Sequence, residues 1–385
     1  MFELTKSQKE IQKAARDFAK GEFDKEIAYE LELKGEFPRK IWKKAADLGF
    51  LGIHYPESFS GGGMGILENV LITETFCRSD SSIGSALALA TSGSECILRF
   101  ASDGLKTGFL PRLAEGDILS AIALTETRRG ADFRFIQTTA EKRGENWVIN
   151  GTKQYVDNGG NPDTGLYIVL CRTALDDSPP ETGLSLFLVE SDRTGLASRP
   201  MGRKLGNNLT ATSTLTLNNV EVPESNLIGG PGAGYDLLRR YFDESRILAA
   251  ARALGNAFGS FDRMLEYVKG RVQFGKKIAE FQVSQHKIAD MATKIELARL
   301  ITYKAAWTFD QGKPDSSLSS MAKLTAARTA MEVGAQTIQL FGGYGYMTEY
   351  EVERYYRDAK VIELQEGIKD VQKDTIASHI IGKIR

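Results

Sequence analysis

The stretch Thr212-Ser213-Thr214-Leu215-Thr216-Leu217-Asn218-Asn219-Val220-Glu221-Val222 sets the architecture of the chain. From Ser213 to Leu217 polar and apolar residues alternate, as they do along a half-buried strand. Upstream, Thr138 to Glu141, Trp147 to Asn150, Tyr167 to Cys171 and Leu184 to Val189 are further short β-type runs, separated by Gly, Asn, Asp and Pro clusters. Arg143-Gly144-Glu145-Asn146 and Asn150-Gly151 carry turn chemistry. Together these runs predict a compact β domain over residues 120–232, the size of an antiparallel barrel or sandwich.

On either side the period is helical. Gly229-Gly230-Pro231-Gly232 ends the alternation, and Leu237 to Val268, Val283 to Gln311, Ser317 to Phe341 and a last segment from about Gly367 to Ile384 read as long amphipathic helices. They predict a C-terminal four-helix bundle over 233–385. Residues 1–119 predict a helical N-terminal domain. There Thr5-x-x-Gln8 is a capping box, with Ile11, Ala15, Phe18 and Ala19 at helical spacing behind it. A second helix starts near Pro38, carries Ile41, Trp42, Ala45 and Leu48, and stops at Gly49. Ile66 to Phe76 and Ile83 to Phe100 predict two more. The loop Ser58-Phe59-Ser60-Gly61-Gly62-Gly63 reads as a flexible connection; no GK[ST] follows it and no strand precedes it, as a phosphate loop requires.

With 385 residues there is chain for more than one core, and 42% hydrophobic with 26% charged residues is ordinary globular composition. A formal net charge of -1 supplies no global field for nucleic acid or a membrane surface, so an anionic ligand must be met by local groups. No apolar run reaches the roughly 18 to 20 residues that span a bilayer, so no membrane insertion is expected. Cys77, Cys96 and Cys171 lack CxxC spacing and sit in apolar runs, which predicts buried thiols in a reduced compartment. His54, His286 and His379 carry no metal-ligand spacing, and no metal site is expected. The start, Met1 to Gln8, lacks the basic head and apolar core of a signal peptide and is too acidic for a transit peptide, so a cytoplasmic protein is expected.

Several short stretches could carry chemistry. In Ala123-Leu124-Thr125-Glu126-Thr127-Arg128-Arg129-Gly130-Ala131-Asp132, a Thr and a Gly at a strand end can hydrogen-bond a polar ring edge and let a pyrophosphate approach the backbone. Tyr155 and Asp157 stand two apart on a strand and so share a face, where they could pack against and hydrogen-bond a planar cofactor or simply mark a strand edge. Arg271-Val272-Gln273-Phe274-Gly275 follows a helix. Gln339-Leu340-Phe341-Gly342-Gly343-Tyr344-Gly345-Tyr346 ends another, and would serve equally as a C-cap.

In order, spacing and domain context these stretches resemble the acyl-CoA dehydrogenase family of flavoproteins over essentially the whole chain. Lys204-Leu205-Gly206, Asn219-Val220-Glu221-Val222-Pro223 and Arg357-Asp358-Ala359-Lys360 leading to Glu366-Gly367 belong to the same pattern. The resemblance implies an N-terminal helical domain, a middle β barrel or sandwich, and a C-terminal bundle. It implies FAD between the β domain and the bundle, with part of its adenosine diphosphate held by a neighbouring subunit. Leu124 and Thr125 would meet the flavin ring edge, with Gly130 beside them; Tyr155 and Asp157 would meet its face and N5 region. Arg271, Phe274, Gln339, Gly342 and Gly343 would take the pyrophosphate and adenosine side, and Ile368 a position that commonly contacts the cofactor. Phe242-Asp243-x-x-Arg246 looks like the thioester-site motif, placing Asp243 and Arg246 near the CoA arm, with Gly367 also at the substrate. Glu366 takes the place of the general base. The resemblance further implies electron-transfer flavoprotein as partner and a homotetramer packed through the bundle.

A thioester α-proton is far less acidic than a carboxylic acid. Its removal needs a base in a dry pocket, hydrogen bonds to the carbonyl oxygen, and an acceptor for the β-hydride, here flavin N5. Some relatives carry the base just before the motif arginine, where this chain has Ser245, and the neighbouring Glu244 is out of register, which leaves Glu366. The chain departs from the family at Thr127, Ala131, Tyr155 and Asp157, and around the base at Gln365 and Ile368. An acidic Asp157 near N5 would disfavour an anionic reduced flavin unless protonated or turned away. Three readings stand: an acyl-CoA dehydrogenase, a variant reaction such as cyclic acyl-CoA dehydrogenation or elimination, and a silent subunit of a hetero-oligomer. Gly84 and Ser85 stand where glutaryl-type relatives place an arginine, which argues against a short dicarboxylic acyl group and suggests room for a branched or cyclic tail.

Overall fold

The computed structural model describes residues 3–174 and 179–382. Helices come first: α1 (Lys6–Glu22), α2 (Lys25–Lys34), α3 (Arg39–Asp47), α4 (Ile66–Ser79), α5 (Ser81–Leu89), α6 (Ser94–Phe100) and α7 (Asp103–Ala114). The capping box forms as its spacing predicts: Gln8 N donates to Thr5 Oγ1 at 3.2 Å and Thr5 N to Gln8 Oε1 at 3.0 Å. The single helix expected over Ile83 to Phe100 is two. Gly93 takes φ +84, and Ser120 N donates to the Ala90 carbonyl at 3.0 Å, so the β domain holds the break open. The Gly61 to Gly63 loop is tethered rather than free, with Gly63 N donating to the Tyr55 carbonyl at 2.8 Å and Met64 N to Ile53 at 3.1 Å.

The sheet runs β6 (Leu196–Pro200), β7 (Thr212–Pro223), β3 (Asn146–Asp157), β2 (Thr139–Arg143), β4 (Thr164–Arg172), β5 (Leu184–Glu190) and β8 (Leu227–Ile228), with β1 (Leu119–Ala123) beside β4. Most pairs are antiparallel, but β1 and β2 both run parallel to β4, so the sheet is mixed. Strand β4 is buried on both faces. Leu166, Ile168 and Leu170 pack with Leu110 of α7 and Leu237 and Tyr241, while Tyr167, Val169 and Cys171 pack with Ile149 and Leu215. That is why it reads as a continuous apolar run. Arg143 to Asn146 makes the β2–β3 turn, but Asn150-Gly151 does not turn the chain. Gly151 sits inside β3 at a shift of register against β7.

The second helical part holds α8 (Gly234–Gly270), the short hairpin β9 (Val272–Gln273) and β10 (Lys276–Lys277), then α9 (Gln282–Asp310), α10 (Ser316–Phe341), α11 (Val352–Leu364) and α12 (Lys369–Ile381). The expected terminal residue of the last helix, Ile384, lies outside the described residues. α8 and α10 meet through Ala250, Ala253, Ala257, Ala326 and Ala330, all fully buried. α4 crosses α8 where a Cβ on Gly255 would stand 2.4 Å from the Glu74 carbonyl oxygen. Asp310 at the end of α9 caps α4, accepting from Ile66 N at 2.7 Å and Leu67 N at 3.0 Å. The two helical regions are thereby bolted together.

Helix α11 does not stand out in the sequence because two charged residues, Arg354 and Asp358, interrupt its buried face. Arg354, 3% exposed, pairs with Asp80 at 2.6 Å. Asp358 accepts from Ser81 Oγ at 2.6 Å, Ser82 Oγ at 2.5 Å and Asn207 N at 2.6 Å. One carboxylate thus joins α5, the 204–210 loop and α11. Lys204 folds that loop by donating to the carbonyls of Asn207 at 2.8 Å and Thr210 at 2.6 Å. A Cβ on Gly206 would stand 2.5 Å from the Arg357 carbonyl carbon, so the glycine is what lets the loop lie on α11. Among the described residues no helix is long and apolar enough to cross a membrane.

Candidate active site

Glu366 lies in the turn between α11 and α12 with φ +55, a left-handed conformation a glutamate adopts only when its surroundings impose it. They do so through the backbone. The Glu366 carbonyl accepts from Gln372 Nε2 at 2.8 Å and Arg246 Nε at 3.3 Å. The Gly367 carbonyl accepts from Lys323 Nζ at 2.7 Å and Gln372 Nε2 at 2.9 Å, and Lys323 also reaches the Glu363 carbonyl at 3.0 Å. Burial pushes the Lys323 amine down to about 8, opposed by the charge of Glu366. Arg246, Lys323 and Gln372 are each under a tenth exposed, so the turn rests on rigid helices.

The Glu366 side chain faces a cavity of about 60 Å³ closed by α4, the α5–α6 connection and α8. Ser245, Leu248, Ala249 and Arg252 stand at helical spacing on the wall α8 presents, with Tyr241 one turn earlier. Ser245 Oγ donates to Glu366 Oε2 at 2.8 Å. The hydroxyl at the alternative base position therefore holds the carboxylate. Glu244 points elsewhere, in a paired contact with Arg99 at 3.0 Å on both oxygens. Arg246 lies over the Phe242 ring at 5.2 Å and donates to Ser320 Oγ at 3.1 Å. Asp243 is buried, and burial raises its carboxyl above the ordinary range.

Gln365 precedes the turn and ties it to the β domain. Its Oε1 accepts from Arg252 at 2.8 Å, and its amide donates to Asp157 Oδ2. Thr212 Oγ1 donates to Asp157 Oδ1 at 2.9 Å. Burial pushes the Asp157 carboxyl up, with Lys204 nearby pulling the other way. Tyr155 is 65% exposed with φ +56, inside a shift of register between Lys153 and Val156. The alternation that predicts one shared face for Tyr155 and Asp157 is broken by that bulge. Leu124 and Thr125 follow β1 and reach across to β3: the Leu124 carbonyl accepts from Lys153 Nζ at 3.2 Å and the Thr125 carbonyl from Gln154 N at 2.8 Å. Glu126 is structural. Burial alone would raise its carboxyl, but Lys153 at 3.0 Å and Thr138 at 2.6 Å hold it below the ordinary range. Gly130 lies exposed, with open space around it. Ile368, 39% exposed, begins α12.

Arg271, Phe274, Gln339, Gly342 and Gly343 do not line this cavity. Arg271 follows α8, and at 1.5 Å per residue it lies about 39 Å along the helix from Ser245. Its guanidinium sits over the Tyr344 ring at 5.3 Å, in the turn after α10, so these residues form a second surface cluster. Phe274, at the hairpin tip, is 94% exposed. Gly84 and Ser85 also lie away from the cavity: a Cβ on Gly84 would meet the Cys77 amide nitrogen at 2.4 Å, so that position packs on α4 and leaves no room for an acyl tail.

Glu95, His54 and Arg252 are cavity residues that sequence reasoning does not single out. Arg252 alone had a visible signal, a lone arginine in the run Ala249-Ala250-Ala251-Arg252-Ala253. Burial, then the charge of Glu244, pushes Glu95 up to about 8. Burial and Arg99 push His54 down to about 3.

Family models described as acyl-CoA dehydrogenase N-terminal, middle and C-terminal domains match residues 5–117, 121–220 and 232–381. An acyl-CoA dehydrogenase of Bacillus subtilis is 38% identical, covering 98% of this chain and 99% of that one. The solved butyryl-CoA dehydrogenase of Megasphaera elsdenii is 33% identical with a TM-score of 0.94, covering 99% of this chain and 100% of that one. A solved structure described as an electron transferring flavoprotein of Acidaminococcus fermentans is 35% identical with a TM-score of 0.95, covering 100% of both chains. With the three domains matched in order and relatives aligned end to end, this chain belongs to the acyl-CoA dehydrogenase family of FAD-dependent oxidoreductases.

Proposed function

We propose that this chain dehydrogenates an acyl-CoA thioester to its enoyl-CoA, with Glu366 as the base that takes the α-proton. The observation carrying this reading is the Ser245 hydrogen bond to Glu366 inside the cavity, on a turn whose carbonyls are held by Arg246, Lys323 and Gln372. A base fixed in this way meets a bound α-carbon without reorganisation. Ser245 orients the carboxylate, Arg246 and Asp243 stand where the CoA arm approaches, and the cavity walls exclude water. Bound FAD supplies the two-electron acceptor at flavin N5. The residues fit that cofactor: Thr125 is part-exposed just past β1, Gly130 is exposed with open space around it, and Tyr155 offers an uncovered ring on the adjoining strand.

The second cluster belongs to the same reading. Arg271 lies about 39 Å along α8 from Ser245, and its contact with Tyr344 places the Gly342 and Gly343 turn at the same far end, so we assign Arg271, Phe274, Gln339, Gly342 and Gly343 to the cofactor of a neighbouring copy. That assignment makes the working unit an oligomer, a homotetramer by family likeness, with electron-transfer flavoprotein taking the electrons onward.

Purified protein is mixed anaerobically with a panel of CoA thioesters while the flavin band is followed. Bleaching by a thioester, lost in Glu366→Gln, supports the proposal. Product formed by elimination without bleaching, or protein that retains no flavin, overturns it.

A further inference from the structure

The cavity wall carries two polar groups that the proposed proton transfer does not use. Glu95 is 5% exposed and lines the cavity, and no other described residue hydrogen-bonds to its carboxyl; the neighbouring Arg99 is engaged by Glu244. His54, 7% exposed, lines the same cavity. Its Nδ1 faces the Asn69 amide nitrogen at 3.1 Å, and an amide nitrogen only donates. The neutral ring therefore carries its proton on Nε2, which has no partner among the described residues. Buried polar groups are almost always satisfied, and each unpartnered one calls for a ligand or water. Here an acceptor and a donor line one small space.

Resting on the dehydrogenase reading, we propose that the acyl pocket selects a thioester whose chain carries a hydroxyl group, bound between the Glu95 carboxyl and the His54 Nε2–H. A hydroxyl both donates and accepts, so one group satisfies both walls. A plain alkyl chain would leave the two unpaired on displacing water, and sites built around hydrogen bonds discriminate strongly against analogues that lack the partner group. A cation would be opposed by the histidine N–H.

The test uses flavin-loaded protein carrying Glu366→Gln, so that binding is read without turnover. Dissociation constants are measured by calorimetry for length-matched pairs, 4-hydroxybutyryl-CoA against valeryl-CoA and 5-hydroxypentanoyl-CoA against hexanoyl-CoA. The hydroxylated member of at least one pair should bind about tenfold or more tightly. Glu95→Leu should reverse that order, and Glu95→Gln, which keeps a hydrogen-bonding group and the shape, should preserve it. Tighter binding of the alkyl member in both pairs, or an order that Glu95→Leu leaves unchanged, overturns the proposal. Because the base is absent throughout, failure of the wild-type protein to dehydrogenate would count against the reaction without touching this ratio.

Discussion

Gln365 donates its side-chain amide to Asp157, a residue 208 positions away in the chain. The contact turns two departures from the family pattern into one feature. Asp157 is the strand-end residue whose charge would oppose reduced flavin, and Gln365 is the neighbour of the proposed base, Glu366. In space both oxygens of Asp157 are occupied, by Gln365 and by Thr212 at 2.9 Å, and burial favours its protonated form. Arg252 completes the line at 2.8 Å from Gln365. The turn that carries Glu366 is thus tied to the end of β3 through these side chains.

A double-mutant cycle checks that coupling. Gln365→Ala and Asp157→Ala should each cost about 1–3 kcal/mol, since each strands a part-buried polar partner. The double variant should cost about 1 kcal/mol less than the sum, as expected for residues in one network. Strict additivity in thermal or denaturant unfolding would remove the contact from the account.

The hydrogen bond from Ser245 to Glu366 predicts a graded effect on catalysis. Glu366→Gln should lower the rate of flavin reduction by about 100- to 10,000-fold, the usual contribution of a positioned base. Ser245→Ala keeps the base and loses one neutral-to-charged hydrogen bond, so it should cost about tenfold in kcat/KM. Rapid-mixing kinetics would separate the two. An equal loss in both variants would mean that Ser245 does more than orient the carboxylate.

The helical and β segments were legible where apolar periodicity was unbroken, as at Ser213 to Leu217 and in α8. Helix α11 was not, because Arg354 and Asp358 occupy buried positions that a pattern reader assigns to solvent. Lys204-Leu205-Gly206 and Arg357-Asp358-Ala359-Lys360 were legible as motifs but not as partners. Their meaning is the close approach of Gly206 to Arg357 and the bond from Asn207 N to Asp358, both long-range contacts. Glu366 could be picked out as the candidate base, whereas Glu95 and His54 share a cavity only because the α5–α6 break folds against β1.

Glu74 gives a prediction in pH. Burial pushes its carboxyl up from 4.5 to about 7, although Tyr303 donates to it at 2.7 Å. The folded state holds a proton between those values that the unfolded state has released, so Glu74 contributes most stability below 4.5 and loses it as pH rises through about 7. Glu74→Gln stays neutral throughout. The variant should gain on the wild type by up to about 3 kcal/mol between pH 4.5 and 7, read from thermal midpoints on one buffer series. A difference that does not change with pH would show that the carboxyl titrates normally.

Asp358 predicts that stability and flavin retention fail together. It accepts from Ser81, Ser82 and Asn207 at 2.5–2.6 Å, donors from two other parts of the fold. Asp358→Ala leaves all three buried and unpaired, at a cost of about 3–5 kcal/mol. Asp358→Asn keeps the shape but exchanges one acceptor oxygen for a donor, so it should fall in between. Because α11 runs from Asp358 directly into the Glu366 turn, and the 204–210 loop leads into β7 beside Asp157, loosening this joint should also loosen the walls of the cofactor site. Flavin release on dilution should rise in the order wild type, Asp358→Asn, Asp358→Ala. Loss of stability with flavin retention unchanged would mean that the β domain and the bundle keep their geometry at the base without this carboxylate.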